Sequence, residues 1–278
     1  MPPAYSDVWI CATAEGHIQA TGYDSASRKQ YRYHDDWIEF RNRQKFDRLG
    51  EFAGCLPGIR RQVTKLLNKS DDTDRFSKEM AIAAVVRLID NTAMRVGGRS
   101  KTARGATTLR INNVTYKDGK LHLRYRAKGG KRVECSIRDT KLQAILEEID
   151  DLPGKQLFQY IGEDSEVHRL DSGDVNQWLK ECSKMDYISA KTFRTWHGSV
   201  AALDSVYKNP EASIKSVCEA AAQILCNTPA ICRASYVHPE VIRLIEMDRS
   251  GRERKLGKAP MKISGLRVAE NRFAALIL

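Results

Sequence analysis

Strand-forming and helix-forming segments occupy separate parts of this chain of 278 residues. Residues 5–35 contain short β-rich segments that are divided by turns such as Glu15-Gly16. From Asp36 onward, aromatic and leucine residues recur at helical spacing, and only residues 109–137 return to a strand pattern. A parallel α/β sheet would need strands and helices that alternate along the chain. The segregated pattern therefore predicts an α+β fold.

Residues 109–137 are predicted to form three strands of an antiparallel sheet. Their connections, Lys117-Asp118-Gly119-Lys120 and Lys128-Gly129-Gly130-Lys131, have the composition of tight hairpin turns. Elsewhere helical periodicity dominates, and the clearest helix covers residues 75–94 with Ser77 as its N-cap. Further helices are predicted at 139–150, 171–185, 192–207, 211–225, 229–235 and 238–248.

Pro57-Gly58 is predicted to interrupt the helical pattern that begins at Asp36. We expect a domain boundary just before this pair. The predicted architecture is a small N-terminal β-rich domain over residues 1–52, followed by a larger, mainly helical domain over residues 53–278. The second domain contains the three-stranded antiparallel sheet.

The net charge of +11, with a pI near 9.3, predicts a polyanionic partner. Residues 1–52 contain 7 basic and 8 acidic side chains, so the positive charge lies in the remaining residues, with 39 basic against 27 acidic. Residues 249–272 form a basic tail with 8 basic and 2 acidic side chains. Nucleic acid explains this distribution better than a merely basic surface, although charge does not specify which kind.

The seven cysteines are scattered and include no CxxC pair, which indicates reduced thiols in a cytoplasm. Cys226, Cys232 and His238 lie close in sequence but lack a second pair of ligands, so we expect no metal site there. No segment resembles a secretion signal, and no run approaches the roughly 18 apolar residues of a membrane span. The sequence also lacks a P-loop, a dinucleotide fingerprint, an HExxH motif and a two-metal acidic cluster.

An enzyme that acts on a phosphodiester without metal or nucleotide needs cations for the non-bridging oxygens, a nucleophile and an acid for the leaving oxygen. Four segments offer such side chains. Each has an ordinary alternative: a helix-terminal arginine, a solvated lysine or a packed tyrosine. The residues are Arg95 beside two glycines, Lys128 at a hairpin tip, Lys191 and Arg194 three apart on one helical face, and Asn227 nine residues before Tyr236.

The order and spacing of these residues resemble the active-site set of the type IB DNA topoisomerase family, in its small bacterial and poxvirus-like form. Gly16-His-Ile-Gln-Ala-Thr-Gly and Arg28-Lys-Gln-Tyr-Arg-Tyr-His are similar to the cap domain of the bacterial members. Lys191-Thr-Phe-Arg-Thr-Trp-His-Gly and Ala234-Ser-Tyr-Val-His-Pro are similar to their catalytic domain. The resemblance covers nearly the whole chain up to about residue 250.

The resemblance implies a role for each candidate residue. It makes Tyr236 the nucleophile, which forms a 3′-phosphotyrosyl link and frees a 5′-hydroxyl. Arg95 and Arg194 would hold the non-bridging oxygens. Lys128 would protonate the leaving 5′-oxygen, with Lys131 as a competitor for that role. Asn227 would donate a hydrogen bond to the phosphate, and Lys191 would be a supporting phosphate contact.

The resemblance also implies a tyrosine-recombinase-like catalytic fold and relaxation of supercoiled double-stranded DNA without ATP, metal or other cofactor. Gln30, Tyr31 and Tyr33 match cap positions that contact DNA in the major groove. We expect a monomer that clamps DNA, located in the cytoplasm and associated with the nucleoid, without membrane contact.

Two departures from the family pattern leave alternatives open. The family's cap carries further strand-forming sequence before the segment that Met1-Pro-Pro-Ala-Tyr resembles, so an incomplete cap is one alternative. Ala234 replaces a basic residue that is common two positions before the tyrosine. The rival functions are a tyrosine recombinase or integrase, which the KxxR box at Lys191 disfavours, and a catalytically silent DNA-binding protein.

Overall fold

The computed structural model describes residues 2–68, 77–98, 100, 102–150, 153–257 and 262–278. It contains two compact units, Met1–Arg48 and Leu49–Leu278. The first unit has three antiparallel strands in the order β1-β2-β3, followed by one helix. These elements are β1 (Ser6–Ile10), β2 (Ile18–Tyr23), β3 (Lys29–Tyr33) and α1 (Asp35–Asp47).

The second unit is mainly helical and contains two small antiparallel sheets. Its helices are α2 (Leu49–Leu67), α3 (Lys78–Thr92), α4 (Thr140–Asp150), α5 (Ser172–Ser183), α6 (Ala190–Lys208), α7 (Ile214–Leu225), α8 (Pro229–Ser235), α9 (Pro239–Glu246), α10 (Arg249–Leu256) and α11 (Val268–Ile277). Its strands are β4 (Val114–Lys117), β5 (Lys120–Arg126), β6 (Arg132–Ile137), β7 (Gln159–Ile161) and β8 (Val167–Arg169). The predicted α+β fold and the three-stranded sheet, in the order β4-β5-β6, are confirmed.

Helix α3 begins as predicted, because the Ser77 side chain accepts a hydrogen bond from the backbone N–H of Met80. Residues 75 and 76 of the predicted helix lie outside the described residues. The helix ends at Ala93, whose φ of 52° gives the left-handed conformation that stops many helices. The last helical residue, Thr92, lies two residues before the predicted end at residue 94. Because α3 is apolar on almost all sides, it lies buried within its unit.

The aromatic core of the second unit is built on α6. Phe193 and Trp196 are both fully buried and pack edge-on against Phe52 of α2, with ring centroids 5.0 and 5.7 Å apart. Trp196 also packs edge-on against Phe273 of α11 at 5.0 Å. Edge-to-face pairs of this kind contribute about 0.5–1.5 kcal/mol each beyond the area they bury. Helix α6 is therefore held rigidly between α2 and α11.

One local prediction was wrong, and one hairpin was not predicted. Pro57 does not interrupt the helix, because it lies buried inside α2, where Leu56 and Ile59 are also buried. Core packing outweighs the roughly 3 kcal/mol that a proline costs inside a helix. The hairpin of β7 and β8 was not predicted, since strands of three residues are too short to show a periodicity.

The basic stretch from residue 249 is largely folded, although residues 258–261 lie outside the described residues. Several of its cations make internal contacts. Arg252 donates to the backbone carbonyl oxygens of Pro210, Ile245 and Met247. Arg272 lies over the ring of Tyr207, with Cζ 4.3 Å from the centroid. No described helix combines the length and apolar character needed to cross a membrane.

Candidate active site

The loop that carries Arg95 is fixed by the glycine-rich segment that follows it. The backbone N–H of Ala106 donates to the carbonyl oxygen of Arg95 at 2.8 Å, and that of Thr107 donates to Val96 at 2.8 Å. A Cβ atom at Gly105 would lie 2.5 Å from the backbone nitrogen of Gly97 and 2.6 Å from the carbonyl oxygen of Arg95. Only glycine permits this approach. The two segments therefore hold Arg95 just beyond the end of α3.

Arg194 on α6 is held by the ends of two other helices. Its Nη2 donates to the carbonyl oxygen of Leu225 at 3.0 Å, and its Nη1 donates to the carbonyl oxygen of Ala93. These residues terminate α7 and α3. The side chain is buried, with 3% of the residue exposed, and its Nε has no partner among the described atoms. The guanidinium is thus fixed in place and still has N–H donors for a ligand.

Tyr236 lies directly after α8 and is half-buried. Its carbonyl oxygen accepts a hydrogen bond from Ser199 Oγ at 2.9 Å. A Cβ atom at Gly198 would lie 3.3 Å from Tyr236 Cβ and 2.9 Å from Leu225 Cδ1, so this glycine lets α6 approach the tyrosine. The ring centroid is 5.3 Å from Cζ of Arg194. The predicted nucleophile and one predicted arginine are therefore in direct contact.

Arg95 interacts electrostatically with Arg194 and lines the same cavity. Arg95 and Arg194 line one cavity, together with Tyr125, Cys135 and Cys226. Burial lowers the pKa of Arg194 and the charge of Arg95 lowers it further, whereas Tyr236 raises it. Two guanidinium groups that repel each other beside an unpartnered buried donor form a site suited to an anion.

The two candidate lysines lie at the hairpin between β5 and β6. Its tip is closed by a hydrogen bond from the Ala127 N–H to the Lys131 carbonyl oxygen at 2.8 Å, and Gly129 and Gly130 have φ values of 81° and 75°. Lys128 is exposed and makes no hydrogen bond or ion pair with the described residues. The charge of Lys131 acts on Cys232 of α8, where burial raises the pKa of the thiol to about 11 against the opposing charges of Arg194, Lys131 and Arg95.

Asn227 lies in the linker between α7 and α8. Its backbone N–H donates to the Ala222 carbonyl oxygen at 3.0 Å, and its Oδ1 accepts from the Thr228 N–H at 3.0 Å. This orientation leaves the Nδ2 amide without a partner among the described residues. Asn227 follows Cys226, which lines the cavity with Arg194. The linker therefore brings an amide donor near the arginines.

Lys191 and Arg194 have different environments although they share one helix. Lys191 is exposed in the first turn of α6, whereas Arg194 is buried. The phosphate contact expected of Lys191 stays a prediction.

The cap candidates lie on β3 of the first unit. Tyr31 and Tyr33 are 49% and 38% exposed, and their rings stack with centroids 5.9 Å apart and an interplanar angle of 13°. Alternation along the strand places both on one face. Gln30 donates to Asp24 Oδ2 at 3.0 Å and is half-buried. The first unit therefore offers a tyrosine pair to solvent.

A buried polar cluster beside α6, about one turn from Arg194, was not predicted from the sequence. Asp90, His197 and Glu270 lie with their ligand atoms within 4.8 Å of one another, an arrangement that could hold a metal ion. However, Arg60 contacts both carboxylates, at 2.8 Å for Asp90 and 2.6 Å for Glu270, and occupies the place of a cation. In the sequence the four residues of this cluster stand far apart and on four separate helices, so no local motif indicates that they meet.

Two models of known protein families match this chain. Residues 28–253 match the model of the eukaryotic DNA topoisomerase I catalytic core, and residues 1–24 match that of the bacterial DNA topoisomerase IB N-terminal domain. This chain belongs to the type IB DNA topoisomerase family. The predicted family and enzyme class are confirmed. DNA topoisomerase 1B of Acanthamoeba polyphaga mimivirus is 27% identical over 265 residues, which cover 88% of this chain and 77% of the viral protein.

Solved structures similar to this type IB topoisomerase include two complexes of the XerH site-specific recombinase bound to difH substrates. The pre-cleavage complex has a TM-score of 0.45 and 13% identity, and the match covers 73% of this chain and 52% of the recombinase. The post-cleavage complex has a TM-score of 0.45 and 11% identity, with 78% and 55% covered. This chain spans about half the length of each recombinase chain.

Proposed function

We propose that this chain relaxes supercoiled duplex DNA by reversible transesterification, with Tyr236 as the nucleophile. The observation that carries the proposal is the contact between Tyr236 and a buried guanidinium that two helix ends hold in place. Cζ of Arg194 lies 5.3 Å from the tyrosine ring centroid, and Arg95 lines the same cavity as Arg194.

The arginines would stabilise the charge that develops on the phosphate. Arg194 cannot move freely, because its terminal nitrogens already donate to Leu225 and Ala93. Its Nε is buried without a partner among the described atoms, and a buried unsatisfied donor costs about 1–3 kcal/mol. A phosphate oxygen would satisfy that donor. Preorganised cations of this kind stabilise a transition state without reorganisation during the reaction.

The same cations would help Tyr236 to attack. The phenol oxygen forms a bond to phosphorus as the bond from phosphorus to the 5′-oxygen breaks, and the phenolic proton leaves to solvent. Nearby positive charge favours the phenolate that forms during attack. The amide of Asn227 would donate a hydrogen bond to a non-bridging oxygen, and Lys191 would contact the phosphate backbone from the surface of α6.

The leaving 5′-oxygen needs a proton. Lys128 is exposed at a hairpin tip with two glycines in left-handed conformations, so its side chain can reach toward bound DNA. We assign it the role of general acid, and Lys131, whose charge acts on α8, is the alternative. Religation reverses each step. One phosphodiester replaces another, so the reaction needs no ATP, and the arginines would supply the positive charge that a metal ion supplies in other enzymes.

The first unit would bind duplex DNA through Tyr31, Tyr33 and Gln30. We propose that the protein acts as a monomer on DNA in the nucleoid. The positive charge outside residues 1–52 would supply affinity for phosphates that is independent of sequence and weakens with salt.

The test is relaxation of supercoiled plasmid in EDTA without ATP. The expected result is relaxation by the wild type, together with a covalent protein–DNA adduct after denaturation. Both should be lost in Tyr236→Phe and retained in the matched control Tyr207→Phe, whose tyrosine lies at the end of α6. Wild-type protein that neither relaxes plasmid nor forms the adduct would overturn the proposal. Strand exchange between two duplexes would identify a recombinase instead.

A further inference from the structure

Helices α3 and α6 are joined by a buried hydrogen bond between two side chains, in addition to the contact of Arg194 with Ala93. Nε2 of His197 lies 3.0 Å from Oδ1 of Asp90. Asp90 lies five residues before Arg95, and His197 follows Arg194 by three positions, nearly one turn of α6. The bond therefore connects the segments that present the two guanidinium groups.

The protonation states in this pair follow from its surroundings. Burial alone would raise the pKa of Asp90, but hydrogen bonds from His197 and Arg60 outweigh it and hold the pKa well below its ordinary value. Asp90 is thus ionised and can only accept, so the hydrogen must be on Nε2 of His197. The bond is directional and requires a donor at that position.

Arg60 and Glu270 hold Asp90 in its place. Arg60 donates through Nε and Nη2 to the two oxygens of Asp90 at 2.8 and 3.0 Å, and through Nη1 and Nη2 to the two oxygens of Glu270 at 2.8 and 2.6 Å. Nη2 of Arg267 lies 3.6 Å from Asp90. The guanidinium groups of Arg60 and Arg267 balance the charges of the two carboxylates. A double bidentate arginine of this kind fixes orientation more strictly than one contact would.

This arrangement goes beyond what stability requires. The aromatic packing of Phe193 and Trp196 already anchors α6. Replacing a buried charged cluster with apolar residues is often neutral or stabilising. The hydrogen bond from His197 joins α6 to α3 at one place, and a displacement of 1 Å at a reacting centre can lower the rate by about 10²-fold.

We propose that Asp90 and His197 are positioning residues that fix Arg194 relative to Arg95, with Arg60 and Glu270 as their support. The proposal rests on the proposed function, since it assigns the two arginines to one phosphate. It also gives α11, which follows the nucleophile in sequence, a part in cleavage through Glu270.

The experiment measures single-turnover cleavage of a duplex that cannot be religated, and separately the Kd for an uncleaved duplex. Three variants are compared: His197→Gln, His197→Asn and His197→Ala. A glutamine amide can place its nitrogen where Nε2 lies, whereas the shorter asparagine cannot reach Asp90. We expect His197→Gln to cleave within about 3-fold of wild type, and the other two variants to lose about 10-fold or more in rate. The Kd should change less than about 2-fold, since none of the three variants alters a DNA contact.

A purely structural role is distinguished by a matched core variant. Val206→Ala removes a fully buried side chain from the same helix, nine residues beyond His197. It should lower Tm while the cleavage rate stays within about 3-fold of wild type. Equal rates for His197→Gln and His197→Asn, or equal slowing by Val206→Ala at the same loss of Tm, would overturn the proposal. If His197→Ala fails to fold, the comparison of glutamine with asparagine still decides.

A second measurement asks whether His197 acts through Arg194. In an Arg194→Lys background, the guanidinium that the bond positions is gone. The rate ratio between His197→Gln and His197→Asn should then fall to about 1, because the effects of coupled residues are not additive. An undiminished ratio would overturn the proposal. Wild-type protein that does not cleave at all would refute the proposed function instead, so the two failures are distinct.

Discussion

Nη2 of Arg194 donates to the carbonyl oxygen of Leu225 across 31 residues of sequence, at 3.0 Å. Leu225 is the last residue of α7, and the linker to α8 begins one residue later. The same guanidinium donates to Ala93, which ends α3. Arg194 therefore connects the end of the helix that precedes Arg95 with the end of the helix that precedes Asn227. Its guanidinium also lies over the ring of Tyr236.

Arg194→Lys should slow cleavage far more than it weakens DNA binding. Lysine keeps the charge, but its single nitrogen cannot take the places of both Nη1 and Nη2, which donate to Ala93 and Leu225. We expect the cleavage rate constant to fall by about 10²–10³-fold, as for loss of one preorganised donor. Single-turnover cleavage of labelled duplex measures it, with exposed Arg110→Lys as the control. A loss below 5-fold would show that the fork geometry is not needed.

Gly198→Ala should displace Tyr236. The added methyl carbon would lie 2.9 Å from Leu225 Cδ1 and 3.3 Å from Tyr236 Cβ. We expect a loss of about 1–3 kcal/mol in unfolding free energy, from overpacking, and slower cleavage. Gly54→Ala is the matched control, because Gly54 is also helical and its new Cβ would have nothing within 4 Å. That control should gain about 0.5–1 kcal/mol. Urea unfolding and cleavage assays measure both variants, and equal behaviour would contradict this account of the glycine.

The sequence predicted the secondary structure near the nucleophile well. Helix α8 has the predicted bounds, 229–235, because Thr228 caps it and Pro229 occupies its first turn. The antiparallel sheet was predictable for a similar reason, since its turns are local. The α+β fold follows from these local signals together with the segregation of strands and helices.

The contacts of Arg194 could not be predicted in the same way. The spacing of Lys191 and Arg194 gives an angle about the helix axis, but it does not show which face is buried. The burial of Arg194 depends on its contacts with the carbonyl groups of Ala93 and Leu225. These residues lie on other helices, 101 and 31 residues from Arg194 in the sequence. The cluster of Asp90 and His197 was missed for the same reason, because 107 residues separate the two.

The choice of general acid can be tested with a modified leaving group. If Lys128 protonates the 5′-oxygen, Lys128→Ala should slow cleavage by about 10²–10⁴-fold. A 5′-bridging sulfur leaves as a thiolate and needs no proton, so the same variant should cleave that substrate at nearly the wild-type rate. Lys131→Ala is the matched comparison from the other end of the hairpin tip. If the sulfur rescues Lys131→Ala and not Lys128→Ala, the assignment is reversed.

Acid should destabilise the second unit through Asp90. Its pKa in the folded protein lies well below its ordinary value near 4, because His197 and Arg60 donate to the carboxylate despite its burial. A depressed folded pKa contributes stability that is fully present above the unfolded pKa and is lost as pH falls below it. The free energy of unfolding, from urea titrations between pH 3 and pH 7, should therefore drop steeply below about pH 4. Asp90→Asn cannot titrate, so it should be less stable at pH 7 and show a shallower fall, whereas exposed Asp118→Asn should follow the wild-type curve. If the free energies of unfolding of wild type and Asp90→Asn fell in parallel with pH, the pKa of Asp90 would be the same in the folded and unfolded chain. That result would contradict the effect ascribed to Arg60 and His197.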